Sequence, residues 1–166
     1  MKQPRPSQGD SVTPLFRKLN LKDAAEVLVL NAPASFETEL SALRGVEIVR
    51  DANEIEQVAF VLAFVMTQVE VNAVAATVAK KILGDAVVWF AYPKASSNRY
   101  RCDFNRDTGW QVLGNLGFEG VRQVAIDDDW SALRFRRVEF VRTMSRDTTR
   151  AMTSQGKARV SASNET

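Results

Sequence analysis

The sequence predicts an α/β protein built as a three-layer, open and mostly parallel sheet of the Rossmann-like kind, closed by a C-terminal antiparallel hairpin strand. Three observations predict it. Short apolar runs at residues 26–30, 46–49, 58–65, 86–91 and 121–126 are separated by segments of helical periodicity. Gly45, Gly84 and Gly117 stand where those helical segments should stop. Over residues 130–138, Leu133 and Phe135 alternate with Arg134 and Arg136, the period of a half-buried strand.

In chain order, Thr13 can cap a short helix with Pro14 at its first position and Leu15, Phe16 and Leu19 as its apolar face. Residues 26–30 are the first strand. Ser35 reads as the cap of a helix in which Phe36, Leu40 and Leu43 share one face, with Glu37 and Glu39 placed to favour the helix dipole. Residues 46–49 are a short second strand. Residues 58–65 are apolar on both faces, as in a central parallel strand. The clearest helix spans 67–83, with Val71, Val74, Val78 and Ile82 along one side. A buried fourth strand at 86–91 runs out into a polar loop, and a helix at 107–116 carries Trp110, Leu113 and Leu116 inward. Asp127, Asp128 and Asp129 form the turn between the last two strands, a position that aspartate favours.

Right-handed crossovers and the common strand order 3-2-1-4-5 would set the first and fourth strands side by side. Ligands in such sheets bind beyond the carboxyl ends of the strands at that switch point. The order therefore predicts one mouth shared by residues 31–35, 92–103 and 127–131. The candidate ligand-binding residues are Asn31, Lys94, Ser96, Ser97, Asp127, Trp130 and Ser131. Lys94 would be the only lysine of that mouth and Asp127 its partner when no ligand is bound.

Composition narrows the chemistry. The chain has 166 residues, 22 Lys and Arg, 20 Asp and Glu, one cysteine and no histidine. It therefore lacks the usual general base, the usual zinc ligand and every Ser–His or Cys–His nucleophile arrangement. The basic excess sits at the ends. Residues 142–166 carry five cations and two acids, whereas 13–141 hold 15 basic and 17 acidic residues. Both 1–12 and 142–166 read as disordered tails flanking a single domain at 13–141. The basic tail has no interleaved aromatics, so nucleic acid is not the expected partner. The opening residues hold no apolar segment of the secretory type, and the longest apolar run falls well short of the roughly 18 residues a membrane helix needs. With one cysteine, the reading is a cytoplasmic protein without membrane contact.

Three segments carry a resemblance: Leu30, Asn31, Ala32 and Pro33; Tyr92, Pro93, Lys94, Ala95 and Ser96; and residues 127–134, DDDWSALR. Together they resemble a family of small bacterial proteins catalogued as a domain of unknown function, over about residues 13–138. That family is similar in topology to Rossmann-like methyltransferases that have lost their cofactor loop. The resemblance implies the fold rather than an activity.

The residues speak to function as follows. A dinucleotide or methyl-donor site needs glycines after the first strand so that backbone can approach the cofactor. Here that turn reads Asn31, Ala32, Pro33, Ala34, without glycine. Asp51, 20 residues beyond Asn31, stands where a ribose-binding acid would belong. The loop after the fourth strand offers hydroxyls, Lys94, Arg99 and Arg101, which suit a phosphate or carboxylate. Cys102 beside Asp103 reads as a small, partly buried side chain, and Trp130 as a core aromatic. No cofactor and no metal is expected. The favoured reading is a non-catalytic or regulatory domain that binds a small anionic ligand or a partner protein. The other is a diverged Rossmann-like enzyme, nearest to an S-adenosylmethionine-dependent methyltransferase. Arginines on the last strand, taken as the sheet edge, direct any dimer toward helix faces.

Overall fold

The computed structural model describes residues 12–22, 24–104 and 108–141. The expected tails, apart from Val12, and the expected helix start at Asp107 lie outside the described residues. Val12 itself is buried. The elements run α1 (Pro14–Lys18), β1 (Glu26–Leu30), α2 (Glu37–Ser41), β2 (Glu47–Val49), β3 (Val58–Phe64), α3 (Gln68–Ala79), β4 (Ile82–Pro93), α4 (Gln111–Asn115), β5 (Phe118–Ala125) and β6 (Trp130–Arg137), with short 3-10 turns between them.

The fold class is the α/β one read from the sequence: a mixed six-stranded sheet, parallel through β2, β1, β3 and β4 and antiparallel at β6 and β5. The strand order is different. It is β2-β1-β3-β4-β6-β5, so β3 lies between β1 and β4. The order 3-2-1-4-5 would have sent residues 58–65 to an edge. Their composition forbids that, because Phe60 to Val65 are all buried and an edge strand would leave one flank of them in water. The last strand is not the edge either. β6 inserts between β4 and β5, leaving β5 outermost, with Arg122 directly opposite Arg134.

Side chains leave the sheet toward two separate cores. Val61, Ala63, Val88, Phe90, Tyr92 and Phe135 face α3 and α4, where Val71, Val78, Trp110 and Leu113 meet them. Val27, Val29, Leu62, Phe64, Trp89 and Trp130 face α1 and α2, where Phe16, Phe36 and Leu40 complete the layer. Each fully buried aliphatic or phenylalanine side chain contributes about 1.5–3 kcal/mol. The indole N–H of Trp89 donates to the Leu19 carbonyl at 2.7 Å, tying the segment after α1 to the central strand.

Two local expectations change. The helix predicted over 67–83 ends at Ala79, and Ile82 and Leu83 open β4. Ile82 keeps the helical spacing but pairs with Val58 in the sheet, just before a register shift to Phe60–Val87. Its β-branched side chain suits the pleated sheet better than a helix end. The helix predicted from Ser35 starts instead as a 3-10 turn over Ala34–Phe36 after extended Pro33, so Ser35 lies inside the turn and makes no cap. The predicted apolar face, Phe36, Leu40 and Leu43, is nevertheless buried.

Candidate functional site

A pocket of 720 Å³ opens at the carboxyl end of β4, on the sheet face that carries α3 and α4. Its floor is Tyr92 with its neighbours across the sheet. Ser131 pairs with Tyr92 on β6, and Gln123 of β5 donates its side-chain N–H to the Tyr92 hydroxyl at 2.9 Å. Residues 94–104 form the wall and roof, and Phe104 supplies a second aromatic surface 6.2 Å from the Tyr92 ring.

Backbone and side chains hold that roof in place. The Lys94 N–H donates to the Asp129 carbonyl at 2.8 Å, prolonging the β4–β6 ladder by one rung. The Ser97 hydroxyl donates to Asp129 Oδ1 at 2.8 Å and accepts the N–H groups of Arg99 and Tyr100. At the far end, the Asp103 N–H reaches the Met66 carbonyl and its carboxylate accepts the Gln68 N–H. The loop thus leaves β4, bends over the pocket and docks on the β3–α3 junction.

That junction is a capped helix start. Thr67 Oγ1 accepts the Glu70 N–H at 3.1 Å while Glu70 Oε1 accepts the Met66 N–H at 3.1 Å. Asp103 adds a carboxylate from outside the helix, where the dipole favours negative charge.

The pocket's electrostatics are one-sided. Lys94 and Arg101 line it, and among the described residues no Asp or Glu does. The carboxylates nearby are turned to structural work. Asp129 takes the Ser97 hydroxyl, Asp103 takes the Gln68 N–H, and Asp127 Oδ1 accepts the N–H groups of Asp129 and Trp130 at 2.8 Å. Neither the Lys94 nor the Arg101 side chain has a hydrogen-bond or ion-pair partner among the described residues. Burial pushes the Cys102 thiol up, and the charges of Asp103 and Glu70 push the same way against a hydrogen bond from the Phe104 backbone. Cys102 is held as a neutral thiol, not a thiolate nucleophile.

Of the residues expected to share a mouth, Lys94, Ser96, Ser97 and Ser131 line the pocket. Asn31, Asp127 and Trp130 do not. Asn31 follows β1, which β3 separates from β4. Asp127 serves its own turn, its Oδ1 accepting two N–H groups there, and among the described residues no ion pair joins it to Lys94. Trp130 is 2% exposed and packs in the opposite core, edge-on to Phe64 at 5.1 Å and 4.9 Å from Tyr100. The sequence reading missed Phe104 and Gln123, and it placed Tyr92 in the mouth without naming it as a ligand-binding residue. A lone phenylalanine in an otherwise polar loop was a legible signal. Gln123 was not, since only the register of β5 against β6 brings it over Tyr92.

The β1 exit has its own geometry. Asn31 adopts φ 59, the left-handed conformation that a glycine turn would normally supply. Asp51 lies past the end of the adjacent β2, exposed, with Oδ1 accepting the Asn53 N–H at 2.9 Å. Among the described residues no group of three or more His, Cys, Asp or Glu could hold a metal ion, and no helix is long and apolar enough to cross a membrane.

No family model and no curated protein matches the chain. Solved structures do. A SAM-dependent methyltransferase from Aquifex aeolicus superposes with a TM-score of 0.54 at 12% identity, over 81% of this chain and 94% of that one. A Sulfolobus solfataricus protein assigned to the type 11 methyltransferases gives 0.53 at 9% identity, over 78% and 94%. A Bordetella parapertussis protein gives 0.50 at 12% identity, and the chain spans 65% of its length. These likenesses show a fold of the Rossmann/methyltransferase kind. They count against the non-catalytic or regulatory domain favoured from the sequence, because two methyltransferase structures are matched over 94% of their own length. The missing glycine turn and the absence of histidine had carried that expectation; Asn31 supplies the turn's conformation without glycine.

Proposed function

We propose that the chain is a diverged S-adenosylmethionine-dependent methyltransferase, with the pocket under residues 94–104 as its acceptor site. The observation that carries this is the near full-length match of two methyltransferase structures to a sheet whose β4 end opens into a roofed pocket.

The β1 exit fits the donor in part. The left-handed turn at Asn31 and the exposed acid at Asp51 meet two requirements of an adenosyl group, while Pro33 withholds one backbone donor. In this reading Asp51 would accept the ribose hydroxyls through its second oxygen, and backbone around residues 31–34 would carry the amino-acid end. When bound, the donor supplies an activated methyl group. The chain's own part is to seat the acceptor against Tyr92 and Phe104, to exclude water with the loop roof and to keep Cys102 protonated so that it does not compete as a nucleophile.

Isothermal titration with S-adenosylmethionine tests this. Saturable binding, competed by S-adenosylhomocysteine and weakened about tenfold in Asp51→Asn, is the expected result. Asparagine keeps the cap acceptor for Asn53, so the melting temperature should hold. Absence of binding by both compounds at millimolar concentration would overturn the proposal.

A further inference from the structure

We infer that the acceptor of this pocket is a small oxyanion carried on an aromatic body, held by Lys94 and Arg101 at its charged end and by Tyr92 and Phe104 along its flat face. The inference rests on the methyltransferase reading for the word acceptor, but its evidence is the pocket alone.

Three observations converge. The first is charge. Two cations line the cavity without side-chain partners among the described residues, and three acids beside it are engaged in the fold: Asp103 by the Gln68 N–H, Asp129 by Ser97, and Asp127 by its own turn. An anion entering the pocket therefore meets two guanidinium or ammonium groups and displaces no internal carboxylate. Charge-assisted hydrogen bonds of this kind are the stronger class.

The second is shape. Tyr92 and Phe104 are each less than a tenth exposed, with ring centroids 6.2 Å apart, and both are backed by Trp110 at 5.5 Å and 4.9 Å. The two rings are tilted by 45° to one another and make a packed aromatic corner beside the cations, suited to an aromatic ring and of no use to a free inorganic anion. Ser96 and Ser131 add hydroxyls near the rim and the floor.

The third is what the pocket lacks. The chain has no histidine, no carboxylate among the described residues lines the cavity, and burial keeps Cys102 protonated. Among the described residues that line it, no histidine, carboxylate or thiolate stands ready to draw a proton from a neutral acceptor. An acceptor that arrives already ionised needs no such base.

The test is ligand-observed NMR and isothermal titration on the full chain with benzoate, phenyl phosphate, benzamide and inorganic phosphate, without methyl donor. Benzoate or phenyl phosphate should bind at least about tenfold more tightly than benzamide or inorganic phosphate. The preferred member of the first pair identifies the oxyanion as carboxylate or phosphate. The double variant Lys94→Met, Arg101→Met should lose this binding with its melting temperature unchanged, since neither side chain has a partner among the described residues. Phe104→Leu, which keeps an apolar floor but removes the ring, should weaken the aryl acids and serves if the double variant misfolds. Equal binding of benzamide and benzoate would overturn the role of charge, equal binding of the two phosphates would overturn the aromatic body, and silence from all four would overturn the whole. Because no donor is present, failure of S-adenosylmethionine to bind would sink the methyltransferase reading and leave this result standing.

Discussion

The backbone N–H of Gln68 donates to the carboxylate of Asp103 at 2.8 Å, across 35 residues of sequence. The same glutamine donates its side-chain amide to the Gly109 carbonyl at 2.8 Å. One residue at the start of α3 therefore fixes both limbs of the segment that roofs the pocket and leads into α4. Asp103→Ala should remove a helix-terminal carboxylate and cost about 1 kcal/mol in a urea titration. It should also free the roof, so aryl-acid affinity should fall further than stability does. If affinity is unchanged while stability drops, the roof does not shape the pocket.

Gly109 is required where it stands. Its φ is 88, and an added Cβ would lie 2.8 Å from Phe104 Cβ and 2.9 Å from Gln68 Oε1. Gly109→Ala should therefore destabilise by about 2–4 kcal/mol, from left-handed strain and from overpacking together. Gly45 has a similar φ of 70 with nothing within 4 Å of the added carbon. Gly45→Ala should cost only the conformational part, about 1 kcal/mol. Equal losses at the two sites would show that packing against Phe104 contributes nothing.

Much of this was legible in the sequence, and its limits have physical causes. The apolar runs and the inward faces of Phe36, Leu40, Val71, Val78 and Leu113 follow from local periodicity, which a single chain displays. The mouth depended on which strands are neighbours, which no local pattern encodes. The one usable clue was energetic. Residues 60–65 are apolar on both faces, and a strand of that kind belongs inside the sheet, which separates Asn31 from Lys94. The roles of Asp127 and Ser97 were equally hidden, because a polar turn residue that binds its own backbone looks like one that awaits a ligand.

The Asp85–Arg136 pair gives the fold an acid-sensitive contact. Arg136 donates twice to Asp85, and those hydrogen bonds hold the Asp85 carboxyl below its usual value, with burial opposing. A depressed carboxyl contributes stability above the ordinary aspartate pKa of about 4, and that contribution is lost as pH falls through the lowered value. The pair is about a third exposed, so its share is about 0–1 kcal/mol. Asp85→Asn should lower stability slightly at neutral pH and flatten its decline as pH falls below the ordinary aspartate range of about 4. Urea midpoints measured across that range would show parallel curves if the pair were inert.

Ser96 and Ser97 looked equivalent as sequence and should separate on mutation. The Ser97 hydroxyl makes three hydrogen bonds, to Asp129 Oδ1 and from the N–H groups of Arg99 and Tyr100. It joins the loop after β4 to the β5–β6 turn and organises the bend that carries Arg101 over the pocket. Ser96 is exposed on the rim and makes no such bond. Ser97→Ala would leave the Asp129 carboxylate and two loop N–H groups without their partner. Because the site is only partly buried, water replaces some of that loss, and about 1–2 kcal/mol is expected. Ser96→Ala should stay within about 0.5 kcal/mol of the parent. Affinity for an aryl acid should respond the other way in kind: Ser97→Ala weakens it by disordering the loop, with slower association, whereas Ser96→Ala changes it only if the rim hydroxyl touches the ligand. Thermal unfolding and stopped-flow binding on both variants separate these effects. A Ser97→Ala protein as stable as the parent would mean that the backbone rung from Lys94 to Asp129 alone holds the roof.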